Sequence, residues 1–223
     1  MGTVLSVNVA SRAEAVPYKH VPSGIGKQPV TDPVEVRDPG PKRGGLGSGL
    51  VGDVIGDQRH HGGSDQAVYA YSRESLDGWE RALGRDLPAG WFGENLTTEG
   101  LDVDGAVLGE RWRIGSTVVL QVSSPRIPCG TFRGRMGEPG WLRRFADAAR
   151  PGAYLRVVVS GTIQAGDPIT VIDRPDHGVS IALMFRAVLR EPALLPQLAA
   201  AGADLSEELR SIVASGKTFT LDP

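Results

Sequence analysis

The sequence predicts a mainly β protein of the α+β class, and three observations carry that expectation. The chain has 223 residues, of which 30 are Gly and 16 are Pro. Average glycine usage is about 7%, so the share here is nearly double, and both residues break helices. A helical bundle and a long coiled coil are thereby disfavoured, and the lack of a Gly-X-Y period excludes collagen. Second, seven segments alternate or are rich in β-branched residues, as strands are. Third, 40% apolar and 22% charged residues are ordinary for a chain that folds, so wholesale disorder is excluded.

The elements follow in order. Strands are expected at residues 4–9, 34–37, 67–71, 111–114, 117–123, 154–160 and 169–173. Gly115-Ser116 joins two of them as a hairpin turn, and Ala165-Gly166-Asp167-Pro168 makes another turn. Ser72 can cap a helix that puts Leu76, Trp79 and Leu83 on one face and stops at Gly84. Trp141, Leu142 and Phe145 line a second helix, stopped by Pro151-Gly152. After Pro175 the texture turns helical, at residues 177–190, 192–201 and 205–215. Pro192 suits a first turn, Gly202 a C-terminal cap, and Asp204 with Glu207 a capping-box-like start. This divides the chain into a main domain at 1–175 and a three-helix extension at 176–223. Each tail helix is too short to stand alone. The tail must pack on the main body or on a second subunit, which leaves a homodimer open.

Charge and cysteine usage exclude several classes. Net charge is −2, so no global positive field recruits nucleic acid or an anionic membrane. The longest apolar stretches, 154–159 and 181–185, fall far below the roughly 18 residues of a spanning helix. The N-terminus lacks the basic start and apolar run of a secretory signal. Cys129 is the only cysteine, which excludes an internal disulfide framework and suits a reducing compartment. A soluble, cytoplasmic protein is expected. Three short motifs are discounted. Met1-Gly2 with Ser6 fits a myristoylation pattern but opens a strand. Asn95-Leu96-Thr97 fits a glycosylation acceptor, irrelevant without secretion. Residues 47–52 fit a dinucleotide fingerprint but lack the flanking strand and helix.

Three segments carry candidate chemistry. In Ser124-Pro125-Arg126-Ile127-Pro128-Cys129-Gly130 two prolines stiffen a loop and place the thiol. Around it Arg126, Arg133, Arg135, Arg143 and Arg144 stand against Glu138, a bias that favours thiolate and can grip oxyanions. The alternative, a small buried hydrophobic cysteine, stays open. In the second segment, Gly52 to Gln66, His60 and His61 side by side in a strand would point to opposite faces. No second His/Cys pair lies at zinc-like spacing, so zinc is not expected, and a tight turn with solvated histidines is the simpler account. In the third, Gly90 to Gly100, Trp91 and Phe92 suit the core, while Asn95 could bond a heterocycle edge.

Together these segments resemble the MOSC family, the molybdenum cofactor sulfurase C-terminal domain. The resemblance rests on Gly52-Asp53, His60-His61-Gly62-Gly63 with Asp65-Gln66-Ala67-Val68, Phe92-Gly93-Glu94-Asn95-Leu96-Thr97, and Pro125-Arg126 with Pro128-Cys129. Ser23-Gly24-Ile25, Lys27 and Pro29-Val30 match the usual upstream stretch, and the tail resembles that of the stand-alone bacterial, YiiM-like branch. Arg37 to Gly47 departs as an insertion. No aminotransferase-like domain precedes the match, so pyridoxal phosphate is not expected.

The resemblance implies a β-barrel-like MOSC fold carrying the molybdenum cofactor, a molybdopterin. It implies Cys129 as catalytic thiolate and molybdenum ligand, a soft donor suited to such a centre. Lys27, Arg59, His61, Asn95 and Arg126 become candidates for the pterin and its phosphate. The implied activity is an oxidoreductase one: reduction of N-hydroxylated compounds of the hydroxylaminopurine type to amines by oxygen-atom transfer. One cysteine cannot hold an iron–sulfur cluster, so a separate electron-donating reductase is implied. A sulfur carrier using a Cys129 persulfide and a non-enzymatic molybdopterin-binding module are the alternatives.

Overall fold

The computed structural model describes residues 1–17, 20–216 and 218–221. Tail positions 217, 222 and 223 of the expected extension lie outside them. Its strands are β1 (Gly2–Val9), β2 (Gln28–Val30), β3 (Val34–Val36), β4 (Val68–Ser72), β5 (Leu96–Glu99), β6 (Arg111–Ile114), β7 (Val118–Pro125), β8 (Ala153–Val159), β9 (Gly161–Ile163) and β10 (Pro168–Asp173). Helices are α1 (Arg73–Leu83), α2 (Gly130–Met136), α3 (Trp141–Ala148), α4 (Ile181–Leu189) and α5 (Glu207–Ser215). Short 3-10 turns occupy Ser64–Gln66 and Pro192–Asp204.

Seven strands run β10-β6-β7-β8-β4-β5-β1, and β1 pairs back onto β10, so the sheet closes into a barrel. Closure removes the sheet edges that would otherwise template association. Neighbours pair antiparallel except β4 with β5, whose parallel pairing is bridged by α1. The β6–β7 hairpin is set locally: Ile114 faces Val118 across Gly115, whose φ is +59°. β2 hangs on β1, and β3 pairs with β9 in a separate two-stranded ribbon.

Several local expectations hold. Ser72 Oγ accepts the Ser75 amide at the start of α1, and Gly84 ends it in the left-handed region at φ 65°. Leu76 and Trp79 are buried on that helix, as are Trp141, Leu142 and Phe145 on α3. Others are corrected. α3 ends at Ala148, before Pro151, because Ala149 turns left-handed at φ 49°. α2 and the strands β2, β5 and β9 add to the elements expected from the sequence; each spans seven residues or fewer. The first tail helix begins at Ile181, capped by Ser180, rather than at 177. The second tail segment is 3-10 and breaks at Gly202. Ser206, not Asp204, caps α5 by accepting the Leu209 amide.

Two cores result. Aliphatic residues fill the barrel, and the tail's Met184, Val188, Leu198 and Leu209 belong to the same cluster as Trp112 and Leu120. The tail is therefore packed on the main body. The second core is aromatic and lies outside the barrel under α1, α2 and α3. There Phe92 and Phe132 rings meet at 5.0 Å, Phe132 and Trp141 at 5.4 Å, and Trp79 and Trp141 at 4.8 Å. β4 sits between the two cores, which is why all five of its residues are buried.

Candidate functional site

A cleft of about 700 Å³ opens where β7 ends, within the usual size of small-molecule and cofactor sites. Its walls are drawn from within the segments 20–27, 54–62, 92–95 and 126–131, together with Tyr69 and Tyr154. All six residues singled out from the sequence, Lys27, Arg59, His61, Asn95, Arg126 and Cys129, line it.

Cys129 is the residue that caps α2, in extended backbone (φ −133°, ψ 171°). It is half-buried, with its flank on the aromatic core. Burial raises the thiol's pKa, but a hydrogen bond from His61 and the nearby Arg126 and His61 charges outweigh it. The result is a pKa of about 6, well below the ordinary 9.0. Arg126 is held firmly: its guanidinium lies 3.7 Å over the Phe132 ring and 5.3 Å from Tyr69, and it donates to the Phe92 carbonyl. The wider arginine excess of the sequence disperses. Arg143 and Arg144 sit outside near Asp147 and Glu138, and Arg135 stacks on Trp91.

A polar network forms the back wall. Asp53, buried, takes the Lys27 ammonium at 2.5 Å on both oxygens, and also accepts from Ser48 Oγ, Asn95 Nδ2 and the Ala10 amide. Burial lowers the Lys27 pKa, and Asp53 opposes that shift. Asn95 spends its amide on the protein, accepting from the Tyr69 amide at 3.1 Å and donating to Asp53 and to the Asn8 carbonyl. It thus shapes the wall. Beside it, buried Glu94 folds its own loop by accepting from the Gly90 and Phe92 amides and from Thr97 Oγ1. Burial raises its pKa.

The rim differs. Arg59 is mostly exposed and paired with Asp57 at 2.9 Å. His60 and His61 lie in a turn, not a strand, so both line the cleft. Two close backbone approaches explain part of the glycine excess. A Cβ on Gly24 would lie 1.8 Å from the Val54 carbonyl oxygen, and one on Gly56 would lie 1.9 Å from that of Pro22. Residues 37–47 brace the histidine loop, with the Gly63 amide on the Gly47 carbonyl and the Ser64 amide on that of Gly40.

Sequence reasoning missed Asp53 as a hub and Tyr69 with Tyr154 as wall. The two tyrosines face each other across β4 and β8, ring centroids 5.1 Å apart. Tyr69 gives its hydroxyl to the Pro151 carbonyl. Among the described residues, no group of three or more His, Cys, Asp or Glu side chains is placed to hold a metal ion.

The family model of the MOSC domain matches residues 57–170. The chain belongs to the MOSC family. This MOSC protein is 31% identical over 186 residues to the uncharacterized protein YflK of Bacillus subtilis, covering 82% of this chain and 79% of that one. It is 32% identical over 183 residues to a reductase of Gibberella moniliformis, covering 75% of this chain but only 32% of that protein, about a third of its length. The crystal structure of YiiM from Geobacillus stearothermophilus superposes with a TM-score of 0.75 at 29% identity, covering 97% of this chain and 99% of that one. The MOSC match includes His61, Asn95, Arg126 and Cys129 and leaves Lys27 and Asp53 upstream.

Proposed function

We propose that this MOSC protein binds the molybdenum cofactor in the cleft and is a cytoplasmic reductase of N-hydroxylated compounds. One observation carries the reading: a thiol with a pKa near 6 faces a cleft of about 700 Å³. The residues present fit the group. A soft thiolate is the donor such a metal takes, and close-packed backbone at Gly24 and Gly56 shapes walls for a planar ligand.

In this reading Cys129 holds the metal and Arg126 supplies the fixed positive charge beside the sulfur. His61, at the cleft mouth, keeps the thiol ionised. Lys27 and Asn95, both committed to Asp53, give a rigid polar wall, and Arg59 is the rim cation that can turn from Asp57 to a phosphate. When bound, the cofactor supplies two-electron removal of oxygen from an N–OH group. The overall balance is a hydroxylamine, two electrons and two protons giving amine and water. The electrons need a donor protein, because one cysteine cannot hold a cluster. No helix of the described residues is long and apolar enough to cross a membrane.

The test is elemental analysis of protein made in a cofactor-producing host, with turnover of a hydroxylamine substrate on an artificial donor. Stoichiometric molybdenum with turnover supports the reading. Molybdenum without turnover leaves a binding module, and a Cys129 persulfide without molybdenum leaves a sulfur carrier. Cys129→Ala should lose the metal and the activity while keeping the fold; full activity in that variant would remove the ligand assignment.

A further inference from the structure

Net charge is −2, yet one face beside the cleft is locally basic. α2 follows its cap Cys129 and runs about 10 Å over its seven residues, and α3 begins a short turn later at Trp141. On this face two carboxylates serve four guanidinium groups. Glu138 takes Arg85 at 3.5 Å and Arg144 at 4.0 Å, and Asp147 takes Arg143 at 3.9 Å and Arg190 at 2.5 Å. The Arg143 side chain is 78% exposed, so loose pairs of this kind hold little of its charge.

Trp91 lies beside Arg85 of this face. Arg135 lies 3.9 Å and Arg85 6.0 Å from the Trp91 ring centroid, and the indole N–H is buried without an acceptor. Arg135 also donates to the Trp91 carbonyl. The next residue, Phe92, lines the cleft, so the chain passes directly from this face to the cleft wall. Tryptophan and arginine are the side chains that anchor protein interfaces, and charge complementarity steers such encounters.

We propose that this face, Trp91 and Arg85 with Arg143 and Arg144, is the docking surface for the electron donor, and that the donor is an electron-transfer protein with an acidic surface. The inference rests on the reductase reading. It needs no new chemistry: the donor delivers the two electrons of the reduction at a face joined to the cleft wall through Trp91 and Phe92.

The test uses the cofactor-loaded chain and a flavodoxin of acidic surface. Binding is measured at low ionic strength and again at high salt, alongside turnover driven by that flavodoxin and, separately, by methyl viologen. R143E/R144E should weaken flavodoxin binding about tenfold or more and cut flavodoxin-driven turnover in step, while viologen-driven turnover stays unchanged. R143K/R144K, which keeps the charge, should bind like the parent chain. Salt should weaken binding to the parent chain and have little effect on R143E/R144E. Equal flavodoxin binding by the parent chain and R143E/R144E would overturn the docking surface alone. Absence of viologen-driven turnover in the parent chain would overturn the reductase reading and this inference with it.

Discussion

Asp53 receives the Lys27 ammonium on both carboxylate oxygens at 2.5 Å, and neither side chain is more than 4% exposed. The pair is the keystone of the cleft's back wall, since Ser48, Asn95 and the Ala10 amide all end on the same carboxylate. Removing one partner of a buried pair strands the other charge and costs about 3–5 kcal/mol. Asp53→Ala should therefore lower unfolding free energy by about that amount in chemical denaturation. A loss below about 1 kcal/mol, the scale of a surface pair, would refute the keystone role.

Cys129 should behave as an acidic thiol. Its pKa is lowered to about 6, so the nucleophilic thiolate dominates above that pH and the thiol below it. The rate of iodoacetamide alkylation, followed from about pH 4 to about pH 10.5 (roughly two units below 6 and two above an ordinary thiol near 8.5), should rise with a midpoint close to 6. In His61→Ala the midpoint should move upward, because a hydrogen bond to the sulfur is lost. A midpoint in the ordinary thiol range for the parent chain would contradict the geometry of the loop.

Asp104 gives stability an unusual pH dependence. Its carboxylate accepts the Gly152 amide at 2.8 Å and Ser75 Oγ at 3.3 Å, but burial dominates and raises its pKa from 3.8 to about 6. The folded state thus binds this proton more tightly than the unfolded chain does. The contribution is fully present below pH 3.8 and is lost as pH rises through 6. Asp104→Asn should melt a few degrees above the parent chain at pH 7.5 and lose that advantage near pH 4. A variant less stable at both pH values would show that the carboxylate's hydrogen bonds outweigh its burial.

Gly24 tests the backbone approach that shapes the cleft. An added Cβ would overlap the Val54 carbonyl oxygen at 1.8 Å, so residues 22–25 and 54–56 would have to separate. Gly24→Ala should cost at least about 2 kcal/mol of stability and lower molybdenum content. Gly26→Ala is the control, because its Cβ first meets the Glu14 carboxylate at 3.4 Å. Equal thermal stability for the two variants would count against the close approach.

Some of this was legible from the chain alone. The Ser72 and Gly84 ends of α1, the Gly115 hairpin and the buried faces of α1 and α3 all appear where residue order places them. The proline-braced Cys129 loop was legible too, because two prolines, Pro125 and Pro128, precede the thiol within five residues. The arginine excess differs from expectation: adjacency in sequence puts five guanidinium groups near the thiol, whereas α3 carries Arg143 and Arg144 outward. Asn95 also differed from expectation, since its amide is spent on Asp53, Asn8 and Tyr69.

What the sequence by itself determined is whatever depends on residues a few positions apart: caps, turns, the strand pattern and a stiff loop bearing one thiol. Tertiary structure alone decided which groups meet in the cleft. Lys27 and Asp53 are 26 residues apart, Asp53 and Asn95 42, and Asn8 and Asn95 87. Hydrogen bonds at such separations leave no local period or composition signal, because they form only when barrel closure brings β1, β4, β5 and the loops after them together.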